Sequence, residues 1–234
     1  MANLNELKNK LLQEAQGQRK GLSFKKLAID HANQTFVVKN NGEVVQSLGK
    51  EVEVLIIGEY GQYFMFDPRL ERITFLSQIT KPALIRQAID LKSGKKVSEI
   101  LEKLKQQGIK PVYTSILLVM VKNNDSWEEM LFYLKGAVLQ SWIEIIKELQ
   151  GYGVPYVASY LKIGLRSNKK GAVKYSTLTL QKYEECNNEN LLAKAVLFLD
   201  KFKEEIRRYN AYEPSIEEIP IEPEETTLDD IVEY

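Results

Sequence analysis

The chain has 234 residues, 44% of them hydrophobic, with 32 acidic and 32 basic side chains, one His and one Cys. The neutral total hides an asymmetry: residues 213–234 hold nine acids and no Lys or Arg, so residues 1–212 keep 23 acids against 32 bases. That length fits one large domain or two small ones, Cys186 alone excludes an internal disulfide or Cys-rich metal site, and a zinc site or Ser-His-Asp triad would have to rest on His31 alone.

The elements, in chain order, begin with Leu4, Leu7, Leu11, Leu12 and Ala15, whose spacing predicts an amphipathic helix. This is an arm over residues 1–20 that could dock on the body or on a neighbouring subunit, which leaves a homo-oligomer open. Arg19, Lys20, Lys25 and Lys26 follow, and Lys25 and Lys26 are candidate phosphate contacts. Strands are expected at Thr35–Lys39, at Glu43–Val45 after the Asn40-Asn41-Gly42 turn, at Glu51–Gly58 beyond a second turn, and at Tyr60–Phe66. Helices are expected over Pro82–Ile89 and Val97–Gln107, with Lys92-Ser93-Gly94-Lys95-Lys96 a basic turn between them. Pro111–Val121 is the most apolar stretch and reads as a central strand; Met130–Leu134 is another. A helix after Gly136 shows Val138, Leu139, Trp142, Ile145, Ile146 and Leu149 on one face. Alternation over Val154–Arg166 puts Tyr156, Tyr160, Lys162 and Arg166 on one side of a strand. A basic loop with Lys169 and Lys170 leads to a returning strand, Val173–Leu180, that carries Lys174. A last helix, Glu189–Tyr209, has Leu192, Ala195, Val196, Leu199, Phe202 and Ile206 on its expected core face. The expected fold is mainly β with inserted helices (α+β), a body spanning 21–212 followed by a disordered acidic tail, 213–234.

No GxGxxG, GxxxxGK[ST] or HExxH pattern occurs, and the longest apolar run, Ile116–Val121, is far short of the ~20 residues that cross a bilayer. A non-enzymatic protein without cofactor or metal is expected, in the cytoplasm, or the host cytoplasm if the chain is viral. A nuclease with Mg²⁺ on Glu51, Glu53, Asp67 and Glu71 is a rival without supporting spacing. Tyrosines interleaved with cations on strands are what single-stranded nucleic acid needs: rings stack on bases without regard to sequence, at ~1–3 kcal/mol per base, and cations neutralise phosphates. Tyr156, Tyr160, Lys162, Arg166, Lys169, Lys170 and Lys174 form the densest such cluster, with Tyr60, Tyr63 and Tyr113 as further candidates.

The basic body, the acidic tail and the tip Leu228-Asp229-Asp230-Ile231-Val232-Glu233-Tyr234 resemble the single-stranded DNA-binding proteins of bacteria and tailed bacteriophages, the phage proteins more closely. The bacterial tails close on Phe after Pro, whereas this one closes on Tyr after Glu. The resemblance implies an OB-fold, a Greek-key barrel with capping helices. It also implies a tail that competes with DNA and recruits replication, recombination or repair proteins through Asp229, Asp230, Ile231, Val232 and Tyr234. An assembly adaptor that binds protein and no DNA is the alternative.

Overall fold

The computed structural model describes residues 22–171 and 173–211, without the side chain of Lys170. The arm expected at 1–20 and the tail expected at 213–234, with its tip residues, lie outside the described residues. What is described is mainly β with helices packed on a single mixed sheet.

Strands β1 (Lys26–Asp30), β2 (Thr35–Asn40) and β3 (Glu43–Gly49) form a meander. The turn between β2 and β3 is the expected one, with Asn41 at φ 50° and Gly42 at φ 90°. β4 then runs from Glu51 to Asp67 as one strand of 17 residues. The two strands expected there merge, because Gly58, Glu59 and Tyr60 stay paired with Leu118, Leu117 and Ile116 through a register shift after Ile56. A bulge, not a turn, absorbs the glycine. β5 (Arg72–Leu76) pairs with the far end of β4, and α1 spans Val97–Gln106. The helix expected from Pro82 is only a 3-10 turn, Pro82–Gln87, because Ala88 is extended and Ile89 and Asp90 are drawn into bridges with Lys96 and Ser77. β6 (Val112–Asn123), β7 (Ser126–Leu134), α2 (Gly136–Gly151), β8 (Ser159–Lys170), β9 (Val173–Glu185) and α3 (Glu189–Asn210) complete the chain.

β6 explains its own sequence. Leu117, Val119 and Val121 pack with Trp142, Ile145 and Leu149 of α2, while Ile116, Leu118 and Met120 pack with Phe198 and Phe202 of α3. A strand buried on both faces needs an unbroken apolar run. α3 turns the expected stripe inward through Leu192, Ala195, Leu199, Phe202 and Ile206, with two exceptions: Val196 is 57% exposed, and Phe198 is fully buried. A satellite core of Phe75, Ala88, Val97 and Leu104 holds β5, the 3-10 turn and α1 together. Among the described residues, no helix is long and apolar enough to cross a membrane.

The sheet order is β3-β2-β1-β7-β6-β4-β8-β9, with β5 beside the end of β4. β3 and β4 stand five places apart in that order, yet only Lys50 separates them in the chain. A flat sheet would put them about 24 Å apart at ~4.8 Å per strand, and two peptide steps reach only ~7 Å. The sheet therefore curls, helped by Gly49 at φ 89°. Across the curl Gln46 of β3 and Asn123 of β6 exchange side-chain hydrogen bonds of 3.0 Å. The sheet nevertheless stays open in its pairing, since among the described residues β3 has only β2 as a ladder partner and β9 only β8. The strand that returns beside β1 is β7, and it is parallel, whereas a Greek key returns antiparallel. The pairing thus gives an open, curled, mixed sheet, which by itself does not amount to the expected Greek-key barrel.

Candidate nucleic-acid interface

β8 begins at Ser159, five residues later than expected, because Ala158 at φ 63° breaks the alternation. From there the two faces separate cleanly. Leu161 and Ile163 join the core under α2, while Tyr160 points with Leu55 and Met120 to the α3 side, and Lys162 and Arg166 follow it by alternation. The helix α3 starts at Glu189 and leaves the part of this face beyond its N-terminus uncovered.

On that uncovered part a row of side chains crosses five strands. Trp127 of β7 sits opposite Lys122 of β6. Lys122 Nζ lies 2.8 Å from Glu53 of β4. Glu53 sits opposite Lys162 of β8, which sits opposite Lys182 of β9. Two residues back along β8 from Lys162, the Tyr160 ring packs on Trp127 at 5.4 Å and 34°. A cleft of about 400 Å³ opens over these groups. All three lysines are paired: Lys122 with Glu53, Lys162 with Glu51 at 2.7 Å, and Lys182 with Glu184 at 3.1 Å. Hydrogen bonds to Glu53 and Glu51 push the Lys122 and Lys162 ammoniums above the ordinary lysine range. These pairs are exposed and open to screening by salt, so an incoming phosphate can replace a carboxylate at little cost. Burial, aided by a hydrogen bond with Cys186, pushes the Tyr160 hydroxyl up to about 12, which keeps the phenol neutral.

The other expected site residues fall elsewhere. Tyr156 precedes β8 and is not on this face: its ring meets Trp142 edge-on at 5.9 Å, and its hydroxyl donates to Glu59 at 3.2 Å. Ser115 also donates to Glu59, at 2.6 Å. Tyr60 is 5% exposed, against Phe202 and beneath Lys81 Nζ at 4.0 Å, so no base can stack on it. Tyr63 packs on Tyr113 at 5.0 Å and on Phe75, in half-buried positions. Lys25 pairs with Glu128 at 2.6 Å, and Lys26 Nζ lies 5.3 Å from the Tyr133 ring. Lys169 and Lys174 face each other across β8 and β9, both exposed, on the side away from Arg166 by alternation. The cluster expected between 156 and 174 is therefore split: Tyr160, Lys162 and Arg166 share one face, and Tyr156, Lys169 and Lys174 do not join them.

Trp127, Lys122 and Lys182 were not anticipated. A signal for the first two existed: Asn123-Asn124-Asp125 marks a tight turn, and extending both arms symmetrically pairs Lys122 with Trp127. The carboxylates considered as Mg²⁺ ligands have other partners. Glu51 and Glu53 bind lysines, and Asp67 accepts from the amides of Arg69 and Leu70. Among the described residues no group of three or more His, Cys, Asp or Glu is placed to hold a metal. His31, on the β1–β2 turn, accepts a hydrogen bond through Nδ1 from the Ser176 amide at 3.1 Å.

No protein-family model matches the chain, and no curated protein or solved structure matches it either.

Proposed function

We propose that the chain is a sequence-tolerant single-stranded DNA-binding protein of replication, recombination or repair, with no catalytic role. The observation that carries this is the cross-strand row Trp127–Lys122–Glu53–Lys162–Lys182 beside Tyr160, on a sheet face that α3 leaves bare. Rings supply stacking that every base accepts, and lysines on neighbouring strands supply phosphate contacts. A closed OB barrel is not required, because a curled sheet offers the same kind of face. The nine-acid tail competes with DNA for these cations by charge and recruits partner proteins through its apolar tip.

The test is fluorescence anisotropy with a labelled single-stranded oligonucleotide over a range of salt. Replacing Lys122, Lys162 and Lys182 together by Ala should weaken binding and lower the slope of log K against log salt by roughly 2, at ~0.7 per lost phosphate contact. Equal affinity and slope in the variant would move DNA off this face. One observation favours the adaptor alternative: the three lysines are matched by three carboxylates, which leaves the row itself neutral. Absence of any salt-dependent shift with the oligonucleotide would select that alternative.

A further inference from the structure

Carboxylates are a poor choice for a face that only holds phosphate, since they repel it. Here two of them line the same cleft as the aromatic rings. Lys122 holds one oxygen of Glu53 at 2.8 Å, and Lys182 holds one oxygen of Glu184 at 3.1 Å. In each pair the lysine donates to one carboxylate oxygen and leaves the second for another donor. An ionised carboxylate is an acceptor only. Of the bases, cytosine presents an amino donor where thymine presents a carbonyl acceptor. Adenine and guanine carry amino groups as well.

We infer that the cleft discriminates among bases: Glu53 and Glu184 accept hydrogen bonds from the exocyclic amino group of a base stacked against Trp127 and Tyr160, so cytosine is bound in preference to thymine. This rests on the single-stranded DNA-binding reading above and adds a base preference to it. The preference is graded, because stacking and phosphate contacts do not depend on the base.

The test uses the full chain and labelled oligo-dC and oligo-dT of equal length at one salt concentration. The wild-type protein is expected to bind oligo-dC roughly tenfold more tightly, the scale of one good amino–carboxylate contact. In the double variant Glu53→Gln with Glu184→Gln, each amide offers both a donor and an acceptor. Both oligonucleotides should bind more tightly, because two negative charges are gone. Their ratio should fall toward one. Charge cancels in that ratio, and the intrinsic stiffness of the two homopolymers cancels when the wild-type and variant ratios are compared, so the change in the ratio reports the readout alone. Equal wild-type affinities would overturn the base preference and leave DNA binding standing, as would a ratio unchanged by the double variant. Failure to bind either oligonucleotide would overturn the DNA-binding reading, and the preference with it.

Discussion

Gly61 shows how a single missing side chain sets the geometry of a strand. A Cβ at this position would collide with the hydroxyl and ring of Tyr113. The backbone cannot retreat, because the Gly61 amide donates to Thr80 at 2.7 Å and its carbonyl accepts from Thr80 at 3.1 Å. Tyr113 has little room either, being packed on Tyr63 at 5.0 Å. Its hydroxyl is pushed up to about 12 by burial and by the Glu59 charge. Gly61→Ala should therefore destabilise the fold by ~1–3 kcal/mol, as overpacking does, visible as a lower urea midpoint. In a Tyr113→Ala background the same change should cost almost nothing, because the clash is gone. An equal cost in both backgrounds would place the strain in the strand itself. The sequence marked Tyr113 and Gly61 separately, one as a ring for bases and the other as part of a strand. Their contact follows from the register of β4 against β6, which no local pattern encodes. The packing of Tyr60 on Phe202 and of Tyr156 on Trp142 depends on tertiary contacts in the same way. A tyrosine that stacks on DNA and one that fills a core look alike until the opposite strand is known.

At the level of elements, the strongest periodicities were legible and the breaks in them were not. The apolar run of β6, the stripe on α2 and the Asn-Asn-Gly turn are each specified by residues close in sequence. The expected division of β4 at Gly58 and the expected start of β8 at Val154 both follow local pattern and miss what the pairing does. A bulge and a left-handed Ala158 settle both: the bulge lies against β6, and the Ala158 backbone bonds to Ile56 and Cys186. The curl of the sheet is held by a similar long-range feature. Asn123 bonds to Gln46 of β3 and to Glu128 of β7, and Glu128 bonds to Lys25 just before β1. Hydrogen bonds from Lys25 and Asn123 hold the Glu128 carboxyl below its ordinary range. A depressed carboxylate stabilises the fold above its unfolded pKa, and that contribution disappears as pH falls through the folded value. Stability should thus fall as the solution is acidified below about pH 4.5, the ordinary value for a glutamate. In Glu128→Gln that part of the fall should be missing. The effect is ~1 kcal/mol or less, because Lys25 is half exposed. Thermal melts from pH 6 to pH 3 make the comparison, and parallel curves for the two proteins would rule out this linkage.

For the whole molecule, the governing quantity is the division of charge. Residues 1–212 hold 32 bases against 23 acids, and residues 213–234 hold nine acids and no base. This was fully legible in the sequence, because net charge does not depend on the fold. What could not be read was where the cations of the body would stand, and the row through Lys122, Lys162 and Lys182 is neutral until its carboxylates are displaced. On the proposed reading, the nine acids of residues 213–234 compete with DNA through the same screened Coulomb interaction that binds the phosphates. Deleting residues 213–234 should therefore tighten binding to a single-stranded oligonucleotide severalfold at 0.05–0.1 M salt. The gain should vanish toward 1 M, as the screening length falls from about 10 Å to about 3 Å. Docking of a protein partner needs apolar surface to bury, which charge alone does not supply. Replacing Ile231, Val232 and Tyr234 by Ser keeps all nine acids. That variant should bind DNA as the full chain does and lose the capture of replication or recombination proteins. If deletion leaves affinity unchanged at low salt, the tail does not compete. If the Ser variant tightens DNA binding as much as deletion does, the tip and not the charge is the competitor.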